Sequence, residues 1–220
     1  MRYLGVDVAK DTLEVADALG KQRRSFPNTG AGIEALLHWL VQDFRPGELH
    51  LVLEPTSTYH HPLVVALAAQ GVLYTLINPA HTAAFGRVQG KRAKTDRVDA
   101  RLLASLGESQ QPEPTPPPQG DQEGLRATRR HLEWLEQELQ RAHNRLETAR
   151  FSPWTPQVVL QSLERTIQRL EEEARQVREA LESQQQARPD WTAQMTLLTS
   201  IPGVGKKTAL LVLSELPPVT

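Results

Sequence analysis

The chain has 220 residues and a formal net charge of -1, enough length for one sizeable domain and a smaller companion. Its near-neutral balance means that any hold on a polyanion must come from local clusters of Lys and Arg. There is no cysteine, which excludes disulfides, thiolate zinc sites and cysteine nucleophiles and points to an intracellular, cytoplasmic protein.

The N-terminus reaches Asp7 and Asp11 too soon for a signal peptide. Tyr3 to Val8, Thr12 to Ala18 and Gln22 to Phe26 are predicted strands separated by turn residues, the pattern of an antiparallel meander. Ile33, Leu36, Leu37 and Leu40 then carry helical spacing through Gly32 to Phe44. Leu49 to Leu53 is a buried strand ending at Glu54, His61 to Gln70 a helix stopped by Gly71, and Val72 to Ile77 a second buried strand broken by Asn78-Pro79. The apolar stretch from Pro62 to Ile77 is too short to cross a bilayer, so no membrane partner is expected. Val98, Leu102, Leu103 and Leu106 predict a helix over Asp96 to Leu106. Three strands, helix, strand, helix, strand, helix is the order expected of an α/β RNase H-like fold, here over residues 1–109.

Residues 110–120 hold five prolines and read as a stiff, extended linker. Beyond them two heptad seams appear: Leu132, Leu135, Leu139, Ala142, Leu146 and Ala149, then Leu160, Leu163, Ile167, Leu170, Ala174, Val177 and Leu181. Each predicted helix runs for about 28 residues, or roughly 42 Å. Pro153 and Pro156 separate them and favour an antiparallel coiled-coil hairpin over 121–187, although each seam could instead pair with another copy's and make a homo-oligomer. Over 188–220, Ser200-Ile201-Pro202-Gly203-Val204-Gly205-Lys206-Lys207 reads as the turn of a helix-hairpin-helix, with Ser200 as an N-cap or turn residue. Gly203, Gly205, Lys206 and Lys207 would seat a phosphate at a helix start.

Four carboxylates stand out. Asp7 interrupts the apolar strand Leu4-Gly5-Val6-Asp7-Val8, and Glu54 follows Leu51-Val52-Leu53. Burial of either is costly without a partner. In an RNase H-like sheet their strands are parallel neighbours, so the two carboxylates would lie side by side. Asp96 and Asp99 share a helix face. Four converging carboxylates need divalent cations, and hard oxygen ligands select Mg²⁺ or Mn²⁺. Two such ions suit phosphodiester chemistry. Beside them, Arg87, Lys91, Arg92, Lys94, Arg97 and Arg101 against Asp96 and Asp99 leave a local net charge of +4, read as a phosphate-contacting loop kept flexible at its start by Gly86 and Gly90. Ser57, Tyr59, His60 and His61 offer neither a supported nucleophile nor a zinc site, and read as structural residues at a helix start.

These segments resemble the DEDD transposases of the IS110 insertion-sequence family, whose N-terminal domain is similar to the Holliday-junction resolvase RuvC. The matching residues are Gly5-Val6-Asp7-Val8-Ala9-Lys10, Leu53-Glu54-Pro55-Thr56-Ser57-Thr58-Tyr59-His60, Ile77-Asn78-Pro79 and Ala93-Lys94-Thr95-Asp96-Arg97-Val98-Asp99-Ala100. Asn144-Arg145-Leu146 and Ser200-Ile201-Pro202-Gly203-Val204-Gly205 match further on. The resemblance implies that Asp7, Glu54, Asp96 and Asp99 are the catalytic, metal-binding tetrad of a DNA transposase or recombinase working with a structured guide RNA. Pro55-Thr56-Ser57 stands where the family more often has Ala-Thr-Gly. The family's C-terminal transposase domain supplies a serine nucleophile beyond the helix-hairpin-helix, and the chain is expected to stop before it. A RuvC-like junction nuclease and a non-catalytic nucleic-acid-binding fragment are the rival expectations.

Overall fold

The computed structural model describes residues 1–45, 47–55, 57–89 and 100–215. It falls into two compact units, Met1–Pro118 and Gln119–Thr220, each with its own apolar core.

The first unit is built on a mixed five-stranded sheet in the order β3-β2-β1-β4-β5. Strands β1 (Arg2–Val8), β2 (Thr12–Ala16) and β3 (Arg23–Pro27) form the antiparallel meander, and β4 (Leu49–Leu53) and β5 (Leu73–Leu76) run parallel to β1. Strand β1 is central and covered on both faces, which is why it is apolar at nearly every position. Leu4, Val6, Val8, Leu51 and Leu53 pack with α1 (Gly30–Asp43) and α2 (His61–Ala69) on one side. On the other, Tyr3 and Val52 meet Leu103 and Leu106 of α4 (Ala100–Gln110). Thr29 starts α1, its side chain accepting from the Gly32 amide at 3.2 Å.

Helix α4 lies very close to the sheet. A Cβ on Gly5 would come within 1.8 Å of the Ala100 carbonyl, and one on Gly107 within 2.6 Å of the Tyr3 ring. Only glycine allows backbone to approach backbone this way.

Two expectations need correction. Residues Pro79–Val88 form a helix, α3, where Asn78-Pro79 and the glycines predict a strand break and a loop. Asn78 caps it by accepting from the Ala80 amide at 2.8 Å, and Pro79 occupies the first turn, where its missing N–H costs nothing. Gly86 therefore keeps nothing flexible: it is buried inside α3, where a Cβ would sit 3.3 Å from Leu102. The proline-rich segment after α4, read as a linker, is tied along the open edge of β5. Thr115 donates its amide to the Tyr74 carbonyl at 2.8 Å and accepts from the Leu76 amide at 3.0 Å. Thr75 donates to the Glu113 carbonyl at 2.7 Å, and the Tyr74 hydroxyl to the Pro116 carbonyl at 3.1 Å. An extended chain without regular strand pairing thus covers an edge that would otherwise be sticky.

In the second unit α5 (Gly120–Phe151) and α6 (Gln157–Gln186) pack against each other along their seams. Leu132 and Leu135 share a cluster with Ala174 and Leu181, and Ala142 and Leu146 share one with Ile167, so the pair runs antiparallel. Both seams are thereby engaged within one chain. Helices α7 (Pro189–Thr199) and α8 (Lys206–Glu215) close the wide end through Trp191, Met195, Ala209 and Leu213. Between them, Ile201-Pro202-Gly203-Val204 makes a turn closed by the Val204 amide on the Ile201 carbonyl at 3.0 Å, with Gly203 at φ 87°. Proline then glycine with positive φ is the type II signature. Ser200 is a turn residue at the C-cap of α7, not an N-cap, and its hydroxyl returns to the Leu197 carbonyl at 2.7 Å. No helix among the described residues is long and apolar enough to cross a membrane.

Candidate metal and nucleic-acid site

The parallel pairing of β1 with β4 ends at Val6 opposite Leu53. The next residue on each strand is an acid, Asp7 and Glu54, at the carboxyl ends of strands that lie about 4.8 Å apart. Alternation places Asp7 with Tyr3 and Gly5, and Glu54 with Val52, on the face that α4 covers. Both acids are half-buried. Glu54 Oε2 is buried with no hydrogen-bond partner among the described residues. An orphaned carboxylate oxygen is expensive in a protein interior, and a cation is the usual remedy. The observation therefore fits a metal ligand.

Asp96 and Asp99, together with Lys91, Arg92, Lys94 and Arg97, lie outside the described residues. Helix α4 is described from Ala100, the residue bonded to Asp99, and Ala100 contacts Gly5, two residues before Asp7. Among the described residues no group of three or more His, Asp or Glu is arranged to hold a metal.

Sequence reasoning missed Asn28. Its side-chain amide donates to the Ala9 carbonyl at 2.9 Å and to the Tyr59 carbonyl at 3.0 Å. One residue therefore ties the loop after Asp7 to the loop after Glu54. A short polar residue between Phe26-Pro27 and the Thr29 cap was the available signal, but it reads locally as an ordinary turn. Ser57 is exposed at φ 49°, Tyr59 is exposed, and His60 is a buried helix-start residue edge-on to His61.

Of the basic residues, Arg87 is exposed on the last turn of α3, and Arg101 lies across the β2–β3 turn, its guanidinium 3.4 Å from where a Gly20 Cβ would stand. In the second unit, Gly203, Gly205 and Lys206 lie at the exposed start of α8. Lys207 is exposed too, but its ammonium donates to Glu136 at 2.8 Å, which raises the lysine pKa and helps to lower that of the glutamate. One of the two expected phosphate-contacting lysines thus already has an acid partner.

Comparison with known proteins completes the picture. The family model for IS110 DEDD transposases, described as a transposase, matches residues 4–149. Two relatives, each a "Pilin gene-inverting protein", come from Moraxella bovis and Moraxella lacunata, and both are 26% identical over 209 residues. The alignments cover 94% of this chain and 63% of each relative, so the chain spans less than two thirds of their length. With well over half of its residues inside the family model, the chain belongs to the IS110 DEDD transposase family.

Proposed function

We propose that the chain acts in DNA strand cleavage and transfer, as a transposase or DNA-inverting recombinase, through an RNase H-like unit whose Asp7, Glu54, Asp96 and Asp99 hold Mg²⁺ or Mn²⁺. The observation that carries this reading is the placing of Asp7 and Glu54 at neighbouring strand ends, with a Glu54 oxygen lacking a partner among the described residues. The strand order and the α4 contact at Gly5 support it, because a helix entering beside Gly5 brings the chain after Asp99 to within two residues of Asp7. When bound, divalent cations of this kind stabilise both the attacking and the leaving oxygen of a phosphodiester. The chain's own residues then have two tasks. The acids orient the ions, with Asn28 fixing the loops behind them, and Arg87, Lys91, Arg92, Lys94, Arg97 and Arg101 hold phosphates.

The second unit serves this chemistry as a spacer and a second grip. Its long hairpin is a coiled coil, and α7 with α8 forms a helix-hairpin-helix that meets a backbone phosphate at Gly203, Gly205 and Lys206. A structured guide RNA is a further partner of the reading. Homo-oligomers would assemble through faces of the hairpin other than its seams, since α5 and α6 occupy each other's.

The test is a calorimetric Mn²⁺ titration of the full chain and of an Asp7→Ala/Glu54→Ala variant, with thermal melts confirming that both fold. Loss of two ligands should weaken binding at least tenfold. Equal binding by the two proteins would overturn the assignment and favour a non-catalytic nucleic-acid-binding role.

A further inference from the structure

Helix α5 has two unlike sides. Leu125, Leu132, Leu135, Ala142 and Leu146 face the rest of its unit. Its acids Glu133 and Glu136 turn to basic partners, Glu133 to Arg129 at 2.8 Å and Glu136 to Arg178 and Lys207 at 3.4 and 2.8 Å. Away from the seam, Arg130, Trp134, Gln137, Arg141, Arg145 and Thr148 are all exposed and succeed one another at steps of three and four. They form one stripe along the helix. Trp134 is half exposed and stacks on His131, ring centroids 5.5 Å apart and 15° from parallel. About 25 Å further along, at 1.5 Å per residue, the stripe runs onto Phe151 and Trp154, which are 91% and 88% exposed. Glu138, at the edge of the stripe, is tied to Arg141.

The exposed face of α6 differs. Its Arg175 pairs with Glu172 and Glu179, and Arg169 with Glu173, and acids outnumber arginines along the helix. The α5 stripe carries three arginines and no acid: Arg130 is held by Glu215 and Arg141 by Glu138 from beside it, and Arg145 has no ion pair among the described residues. A second copy docked by two-fold symmetry would set this stripe against itself, with no acid on it to answer Arg145. An apolar protein surface would strand the same charges. A polyanion that also offers flat apolar faces satisfies both features, and unpaired bases do so where a closed duplex does not.

We propose that the outer stripe of α5 binds a single-stranded polynucleotide, with Trp134 and the Phe151–Trp154 pair as base-stacking platforms and Arg141 and Arg145 on the phosphates between them. The proposal rests on the reading that the chain handles nucleic acid, but on residues apart from the carboxylate site.

Fluorescence anisotropy of the full chain with a labelled oligothymidylate, and with a duplex of equal length, tests it. Trp134→Ala should weaken the single strand by roughly fivefold to a hundredfold, the range of a lost base–aromatic stack, and the duplex by less than twofold. Arg141→Gln/Arg145→Gln should flatten the single-strand salt slope by about 1.4, since each phosphate contact contributes about 0.7. These residues are exposed, so the variants fold. Single-strand binding within twofold of wild type in both variants would overturn the stripe. A Phe151→Ala/Trp154→Ala variant that dissociates an oligomer while binding the strand normally would overturn the platform role of that pair. If the wild-type chain bound no single strand, yet lost Mn²⁺ when Asp7 and Glu54 were replaced, the stripe would fall and the metal site would stand.

Discussion

Asn28 and His50 show how much a single side chain settles in the first unit. Asn28 bridges two loops, each following a proposed ligand. Asn28→Ala should lower Mn²⁺ affinity several-fold while the melting temperature moves by only a few degrees, because two side-chain hydrogen bonds contribute about 1 kcal/mol each. Calorimetry beside a thermal melt separates the two effects. His50 is buried beside Tyr3, its Nε2 2.7 Å from the Thr75 hydroxyl. That hydroxyl donates to the Glu113 carbonyl, so His50 must donate in turn, which fixes the neutral Nε2–H tautomer. Burial lowers the His50 pKa below its ordinary value. The unfolded chain therefore binds the extra proton first, and stability present above about pH 6.5 is lost as the pH falls toward the folded pKa. Urea midpoints between pH 7 and pH 5 should fall more steeply for wild type than for His50→Gln. Parallel slopes would contradict the assignment.

Among the elements, α4 packs beside the site and the proline-rich strap closes the edge of the sheet. The contact of α4 with β1 depends on Gly5, where even a methyl group would strike the Ala100 carbonyl. Gly5→Ala should cost about 1–3 kcal/mol or more and also weaken metal binding, as the helix that follows Asp99 is pushed off the sheet. Differential scanning calorimetry and Mn²⁺ titration would each register it. Thr115→Ala on the strap removes the acceptor of the Leu76 amide and should cost about 1–2 kcal/mol, read as a shifted urea midpoint. In the second unit, Arg129 is buried and reaches Glu133, Glu215 and the Ser214 hydroxyl, while Arg126 and Arg130 also hold Glu215. Arg129→Met should loosen the C-terminal end of α8, seen as faster amide exchange in that helix with α6 unaffected.

At the scale of the whole molecule, the part of the fold that periodicity governs was legible. Short apolar runs bounded by turn residues located β1 to β5, and the leucine repeats located α5 and α6. Where local chemistry contradicts the regional trend, legibility failed. Pro79 and the glycine at 86 suggested a break, yet Asn78 capping and the packing of Gly86 on Leu102 make a helix. Prolines 112 to 118 suggested a stiff linker because composition says nothing of the hydrogen bonds that Thr115 and Thr75 make with distant backbone. Of the candidate site, Asp7 and Glu54 could be anticipated as neighbours from strand order, whereas Asn28 could not, since its value lies in two contacts 19 and 31 residues away.

In the proposed site, acids from three separate stretches of chain gather around the same ions. Fe²⁺ loaded in place of Mg²⁺ and driven with ascorbate generates hydroxyl radicals that cut the backbone nearest the metal, and mass spectrometry maps the cuts. Cleavage should cluster at residues flanking Asp7, Glu54 and the Asp96–Asp99 stretch, be suppressed by excess Mg²⁺ and be absent in Asp7→Ala/Glu54→Ala. Cuts confined elsewhere, or near Asp7 and Glu54 with none around Asp96 and Asp99, would contradict it.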